Sequence, residues 1–128
     1  MISVKYIELK SGYSDNGPAW IARVSDSKSG RTIYFNGMAL KRASGVQGNY
    51  LDTATGDEYW VTGVKKRGTN RHWAGSGKVL VEAAAIDDVL QALGTTTLDR
   101  HVFAVTHEIT PTTAAEFVAE ENAPSGRQ

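Results

Sequence analysis

Trp20-Ile-Ala-Arg-Val-Ser-Asp-Ser-Lys-Ser-Gly-Arg-Thr-Ile-Tyr-Phe-Asn36 is the stretch that decides the fold class. Two runs rich in β-branched and aromatic residues flank Asp26-Ser27-Lys28-Ser29-Gly30. There Asp and Ser offer local backbone bonds and Gly accepts positive φ, the chemistry of a turn. In the first run Trp20, Ala22 and Val24 fall on one side, while Arg23 and Ser25 fall on the other. That period-two alternation is the mark of a half-buried strand.

Outward from this stretch the same punctuation recurs. Eleven of the thirteen glycines precede residue 78. Asp52-Thr-Ala-Thr-Gly56 and Lys66-Arg-Gly-Thr-Asn70 repeat the turn chemistry. The expected strands are Ile2–Leu9, Trp20–Ser25, Thr32–Asn36, Glu58–Lys65 and Lys78–Glu82. Short strands separated by such turns build a sandwich or a barrel. Past Glu82 the pattern changes. Ile86, Val89, Leu90 and Leu93 are spaced as one helix face, with Gly94 as the stop. His101–Ile109 reads as a further strand. Thr113-Ala-Ala-Glu116 matches a capping box that opens a second helix through about Glu121. The expectation is therefore mostly β (α+β): a small SH3-like or related antiparallel barrel of five to six strands, with one or two short C-terminal helices closing one end. Residues 1–122 form one domain, a β-rich body over 1–82 and a helix-strand-helix part over 83–122, with 123–128 a flexible tail.

Composition narrows the function classes. The chain has 128 residues, 41% of them hydrophobic and 22% charged, enough to bury a core. The absence of cysteine excludes disulfides, thiolate zinc sites and a cysteine nucleophile. No apolar run is long enough for a membrane span, and Lys5 and Glu8 interrupt the N-terminal apolar run, so a soluble, cytoplasmic protein with no membrane partner is expected. The formal net charge is zero, but its distribution is uneven. Residues 1–81 carry twelve Lys or Arg against six Asp or Glu, and residues 82–128 carry two against eight, giving +6 and −6. Either the acidic part folds on the basic body, or a basic face is exposed for use.

Catalytic motifs fail on spacing. Gly75-Ser-Gly-Lys78 lacks both the leading Gly of a phosphate loop, where His72 stands, and the following hydroxyl, where Val79 stands. Ser76 sits in Gly-Ser-Gly, too tight for a nucleophile elbow. His101 and His107 lie on one face of a strand about 20 Å apart, too far to share a metal. Asp57-Glu58, Asp87-Asp88 and Glu120-Glu121 are sequence neighbours whose side chains diverge. No cofactor and no metal are expected.

One segment stands out. Residues 65–78 hold Lys65, Lys66, Arg67, Arg71 and Lys78, together with His72 and Trp73, and no carboxylate. Cations interleaved with an aromatic on a glycine-rich hairpin suit single-stranded nucleic acid, where charges track phosphates and rings stack on bases. Tyr34 with Lys41 and Arg42 would extend that surface. The competing reading makes Trp20, Trp60 and Trp73 part of the core and Lys65-Lys66-Arg67 a solvated hairpin tip.

At this block the chain resembles a known group. Trp20-Ile-Ala-Arg-Val, Ser27-Lys-Ser-Gly-Arg-Thr-Ile-Tyr-Phe35, Gly48-Asn-Tyr50 with Asp52, Thr55-Gly-Asp-Glu-Tyr-Trp-Val61, Gly63-Val-Lys-Lys66 and Asn70-Arg-His-Trp-Ala-Gly-Ser-Gly77 carry the likeness. They resemble short uncharacterised bacterial proteins, some labelled 1-deoxy-D-xylulose-5-phosphate synthase. The resemblance spans roughly residues 18–80 and implies no catalytic residue. Nothing in the chain resembles the diphosphate loop and Mg²⁺ ligands of a thiamine-diphosphate enzyme, so that activity does not transfer.

The functional expectation is a non-catalytic binding module with a protein partner, of which an immunity or inhibitor-like protein is one form. Its alternatives are a nucleic-acid binder using residues 65–78 and a small-molecule enzyme with a site near Asn70, Arg71, His72 and Ser76.

Overall fold

Eight strands form one continuous sheet in the order β1-β6-β5-β4-β3-β2-β7-β8, and an additional β1–β2 pairing closes its first six members on themselves. The computed structural model describes residues 2–12, 17–43, 48–64, 78–115 and 117. The strands are β1 (Ile2–Leu9), β2 (Ala19–Asp26), β3 (Thr32–Phe35), β4 (Met38–Arg42), β5 (Tyr50–Asp52), β6 (Glu58–Gly63), β7 (Val79–Glu82) and β8 (Phe103–Thr106). β1 to β6 make a closed antiparallel barrel in which each strand pairs with the next in sequence, and β6 pairs back onto β1. Closure gives the circuit no outermost strand, although β2 pairs with β3 only at Ser25 and Asp26.

The alternation seen in the sequence does what a period of two requires. Ile7, Ala22, Val24, Ile33, Phe35, Leu40, Tyr50, Tyr59 and Val61 point inward and form the barrel core. Trp20 is half-buried at its margin, edge-on to Phe35 at 5.7 Å. The opposite faces of β1 and β2 are also apolar. Tyr6, Ala19 and Ile21 point out of the barrel into a second core with Val79, Val81, Ala85 and Val89.

Two strands were not among those expected. β3 and β4 are joined by Asn36-Gly37, with φ of 50° and 80°. A two-residue loop with both φ positive is the turn whose twist matches the flanking strands, and Asn-Gly is its preferred sequence. β5 has three residues and no alternation long enough to read. Its pairing is extended by Asn49, whose side-chain amide donates to Val61 O (2.8 Å) and whose Oδ1 accepts from Val61 N (2.7 Å). Gly48 lets the chain pass there, since a Cβ would lie 2.6 Å from the Tyr59 carbonyl oxygen.

Beyond the barrel the chain changes style. β7 pairs parallel to β2, and β8 parallel to β7. A 3₁₀ turn (Ala83–Ala85) and helix α1 (Ile86–Leu93) connect β7 to β8. This is a strand-helix-strand crossover, the connection that parallel neighbours require. α1 ends at Gly94, as its spacing predicts. It does not close an end of the barrel: Val89 packs into the second core, on the outer face of β1, β2 and β7.

β2 serves both regions by splitting its outer edge. Trp20 and Ile21 pair with β7, whereas Ser25 and Asp26 pair with β3. In the gap, Arg23 N–H donates to Glu82 Oε1 at 2.9 Å, so a carboxylate stands where a ladder carbonyl is missing. After β8 the chain returns to the barrel. Ile109 joins the barrel core at its margin, Thr110 N–H donates to Asn36 Oδ1 (2.9 Å), and Thr112 Oγ1 accepts from Gly37 N–H. Ala114, Ala115 and Phe117 are helical, where the second helix was expected.

Candidate functional site

β8 is the last strand of the sheet, and the side chains of its Phe103 and Val105 alternate with that of Ala104. A cavity of about 720 Å³ opens between this strand and α1. Ile86 and Leu90 from α1 and Phe103 and Val105 from β8 give it an apolar lining. The loop after α1 contributes Thr96, Thr97 and Leu98. Two cations, Lys78 before β7 and Arg100 before β8, stand at the N-terminal ends of the two parallel strands, and no carboxylate of the described residues lines the space. Both cations are exposed, and neither forms an ion pair among the described residues. Val105 is 45% exposed, unusual for a valine within a strand.

The sequence gives the reasons for this shape. α1 presents Ile86, Val89, Leu90 and Leu93 as a stripe too broad for one contact. Val89 is fully buried in the second core, while Ile86 and Leu90 turn toward the cavity. Asp99 shapes the entry to β8: its Oδ1 accepts from His101 N–H (2.9 Å), and its carbonyl accepts from Val102 and Phe103 N–H. The loop that carries Arg100 is thereby fixed by its own turn.

Of the described residues among the binding candidates singled out in the sequence, only Lys78 lines this cavity. Lys65, Lys66, Arg67, Arg71, His72 and Trp73 lie outside the described residues, as do Asn70 and Ser76. The strands on either side of that segment do not form a hairpin with each other. β6 and β7 are separated in the sheet by β1 and β2. Tyr34 is not an open stacking platform: it is buried on the outer face of β3, and its ring lies 5.3 Å from that of Phe117. Lys41 and Arg42 are both exposed but adjacent on β4, so they point to opposite sides. Arg42 shares the inward face of Leu40 and stands across from Tyr50 at the barrel mouth. Trp60, offered as a core residue, is 39% exposed on the outer face of β6.

Electrostatics inside the barrel are structural. Burial holds the Tyr50 phenol above its ordinary value, while Arg42 pulls it down and Asp26 adds to the rise. Burial, helped by Asp52 and Asp57, pushes Tyr59 up to about 12. On the outer face of β1, Glu8 is buried, accepting from Tyr6 Oη at 2.6 Å and from Lys10 Nζ at 2.9 Å. Among the described residues no three His, Asp or Glu side chains gather as a metal site, and no ion pair joins the acidic C-terminal part to the basic body. No helix of the described residues is long and apolar enough to cross a membrane. Comparisons with protein-family models, with curated proteins and with solved structures return no match.

Proposed function

We propose that this chain is a non-catalytic protein-binding module whose docking site is the cavity between α1 and β8. The barrel serves, as in SH3-like modules, as a rigid frame for a site at its margin. The observation that carries the reading is the pairing of an open strand edge with an apolar cavity beside it. Edges are what sheets ordinarily hide, because an unpaired row of backbone groups recruits other chains. Here the barrel closes its own edges and leaves β8 uncovered among the described residues. An apolar centre within a polar rim is the usual anatomy of a protein interface. An inhibitor or immunity protein would use such a site to hold a cognate partner.

The test is affinity capture from the native host with wild-type protein, a Leu90→Asp variant and a Trp60→Ala variant. The expected partner is retained by wild type and Trp60→Ala and lost by Leu90→Asp, with all three folded by circular dichroism. Equal retention by all three places the partner elsewhere.

A second reading, nucleic-acid binding, has one observation in its favour. Trp60 is exposed on the strand that leads directly into the basic segment 65–78. Stacking on an exposed ring combined with phosphate contacts gives affinity that falls steeply with salt. Fluorescence anisotropy with short DNA and RNA at low and moderate salt separates the readings. Salt-sensitive binding that is lost in Lys65/Lys66/Arg67→Ala and weakened in Trp60→Ala would favour nucleic acid over protein.

A further inference from the structure

Resting on the protein-binding reading, we infer that the partner segment is a free C-terminal end, bound in extended form as a ninth strand antiparallel to β8, its terminal carboxylate between Lys78 and Arg100. Three features of the structure lead there. The first is backbone geometry. Val79 N–H donates to Val102 O at 2.9 Å, and Val79 pairs with Phe103 in a parallel register. In a parallel ladder alternate residues turn their N–H and C=O to opposite sides. That register directs the amide and carbonyl of Ala104 toward β7 and those of Val105 toward the open side. An antiparallel residue placed opposite Val105 accepts from its N–H and donates to its C=O, the two-bond pair of such ladders.

The second feature is side-chain placement. A strand added to β8 sends alternate side chains to the α1 face. That face offers Ile86, Leu90, Phe103 and Val105 as an apolar lining around about 720 Å³, room for more than one side chain. Addition to an edge supplies main-chain bonds, and the pockets beside it supply choice of side chain.

The third is charge. Lys78 and Arg100 both precede their strands, so they sit together at the N-terminal end of β8. A segment running antiparallel to β8 brings its own C-terminus to that end. A carboxylate there meets two cations in a cavity lined by no acid of the described residues, which favours charge-assisted hydrogen bonds. Polarity of the added strand and position of the cations thus agree on one orientation.

The experiment is selection of the full chain against a random peptide library displayed with free C-termini, followed by synthesis of the enriched peptides. Expected are peptides with apolar residues at alternate positions up to the last, binding as acids and weakened about ten- to hundredfold as C-terminal amides. Methylating the peptide amide that faces Val105 should abolish binding, while methylation at the alternate amides should not. Lys78→Ala and Arg100→Ala should each weaken the acid but leave the amide unchanged. Val105→Pro removes the outward N–H without touching the β7 ladder, and should bind no peptide. Should it fail to fold, the methylated peptides test the same bond from the ligand side. No enrichment, equal binding of acid and amide, or indifference to methylation overturns the inference. If the host partner is still lost by Leu90→Asp in that case, the cavity remains a protein site occupied in another way. If it is not, both readings fall together.

Discussion

The barrel and the β7–α1–β8 extension are built from the same sheet but treat strand edges in opposite ways. β1 to β6 pair around a closed circuit, with side chains filling the interior. β7 and β8 continue from half of one strand, run parallel, and end at β8. The barrel circuit is closed, and the stretch of β2 that it leaves unpaired is taken up by β7 and Glu82, so it has little to offer a further partner along its edges. The extension is held mainly by the second core on one face and by Glu82 bridging to Arg23 at the fork. Stability and recognition are divided between the two regions, and this division is the first thing to challenge.

The largest effect is expected in the barrel. Phe35→Ala removes a ring that is fully buried against Trp20 and should cost about 3–5 kcal/mol in urea unfolding. A loss below about 1 kcal/mol would mean that the barrel core is not what holds the fold. Gly48→Ala forces a methyl group against the Tyr59 carbonyl and should destabilise by up to about 3 kcal/mol, because backbone at that distance must move. The equivalent test of the extension is Val89→Ala, with an expected loss of about 2 kcal/mol. Hydrogen exchange sharpens it: amides of β8 should exchange faster in this variant while those of β1 and β6 stay protected. Equal acceleration in both regions would show one cooperative unit and remove the contrast.

The smallest effect is a pH dependence confined to the barrel. The Tyr59 phenol holds its proton up to about pH 12 in the folded chain, against 10 when unperturbed. The unfolded chain therefore releases that proton first. Its contribution to stability is whole below pH 10 and is lost as pH rises through 10 toward 12. Ultraviolet titration should show one phenol ionising last, and Tyr59→Phe should remove that step. If every tyrosine ionises together near 10, the packing around Tyr59 is looser than described.

Legibility in the sequence followed the length of the local signal. β1 was readable end to end, because eight residues rich in β-branched and aromatic side chains ahead of a glycine turn leave little ambiguity. α1 was readable from four apolar positions and a glycine. β4 and β5 were missed for different reasons. Met38-Ala-Leu-Lys-Arg42 lacks β-branched residues, yet Asn36-Gly37 before it was signal enough for a hairpin. Tyr50–Asp52 has no comparable signal, since its place depends on Asn49 completing the ladder from a side chain. At the candidate site only Lys78 was singled out. Leu90 had been read as a face that must cover something, and Arg100 and Val105 carried no local mark.

The period of two, the turn residues and the helix spacing by themselves pointed to a small β barrel with one or two short C-terminal helices. Those features act over a few residues, and local backbone geometry follows from them. Which strands meet was decided only by the tertiary structure: the closure of β6 on β1, the fork of β2, and the parallel entry of β7 and β8. So was the side of the sheet left open. Such pairings depend on both apolar faces of β1 and β2 being buried at once, a condition set by packing between distant segments rather than by any one stretch of sequence.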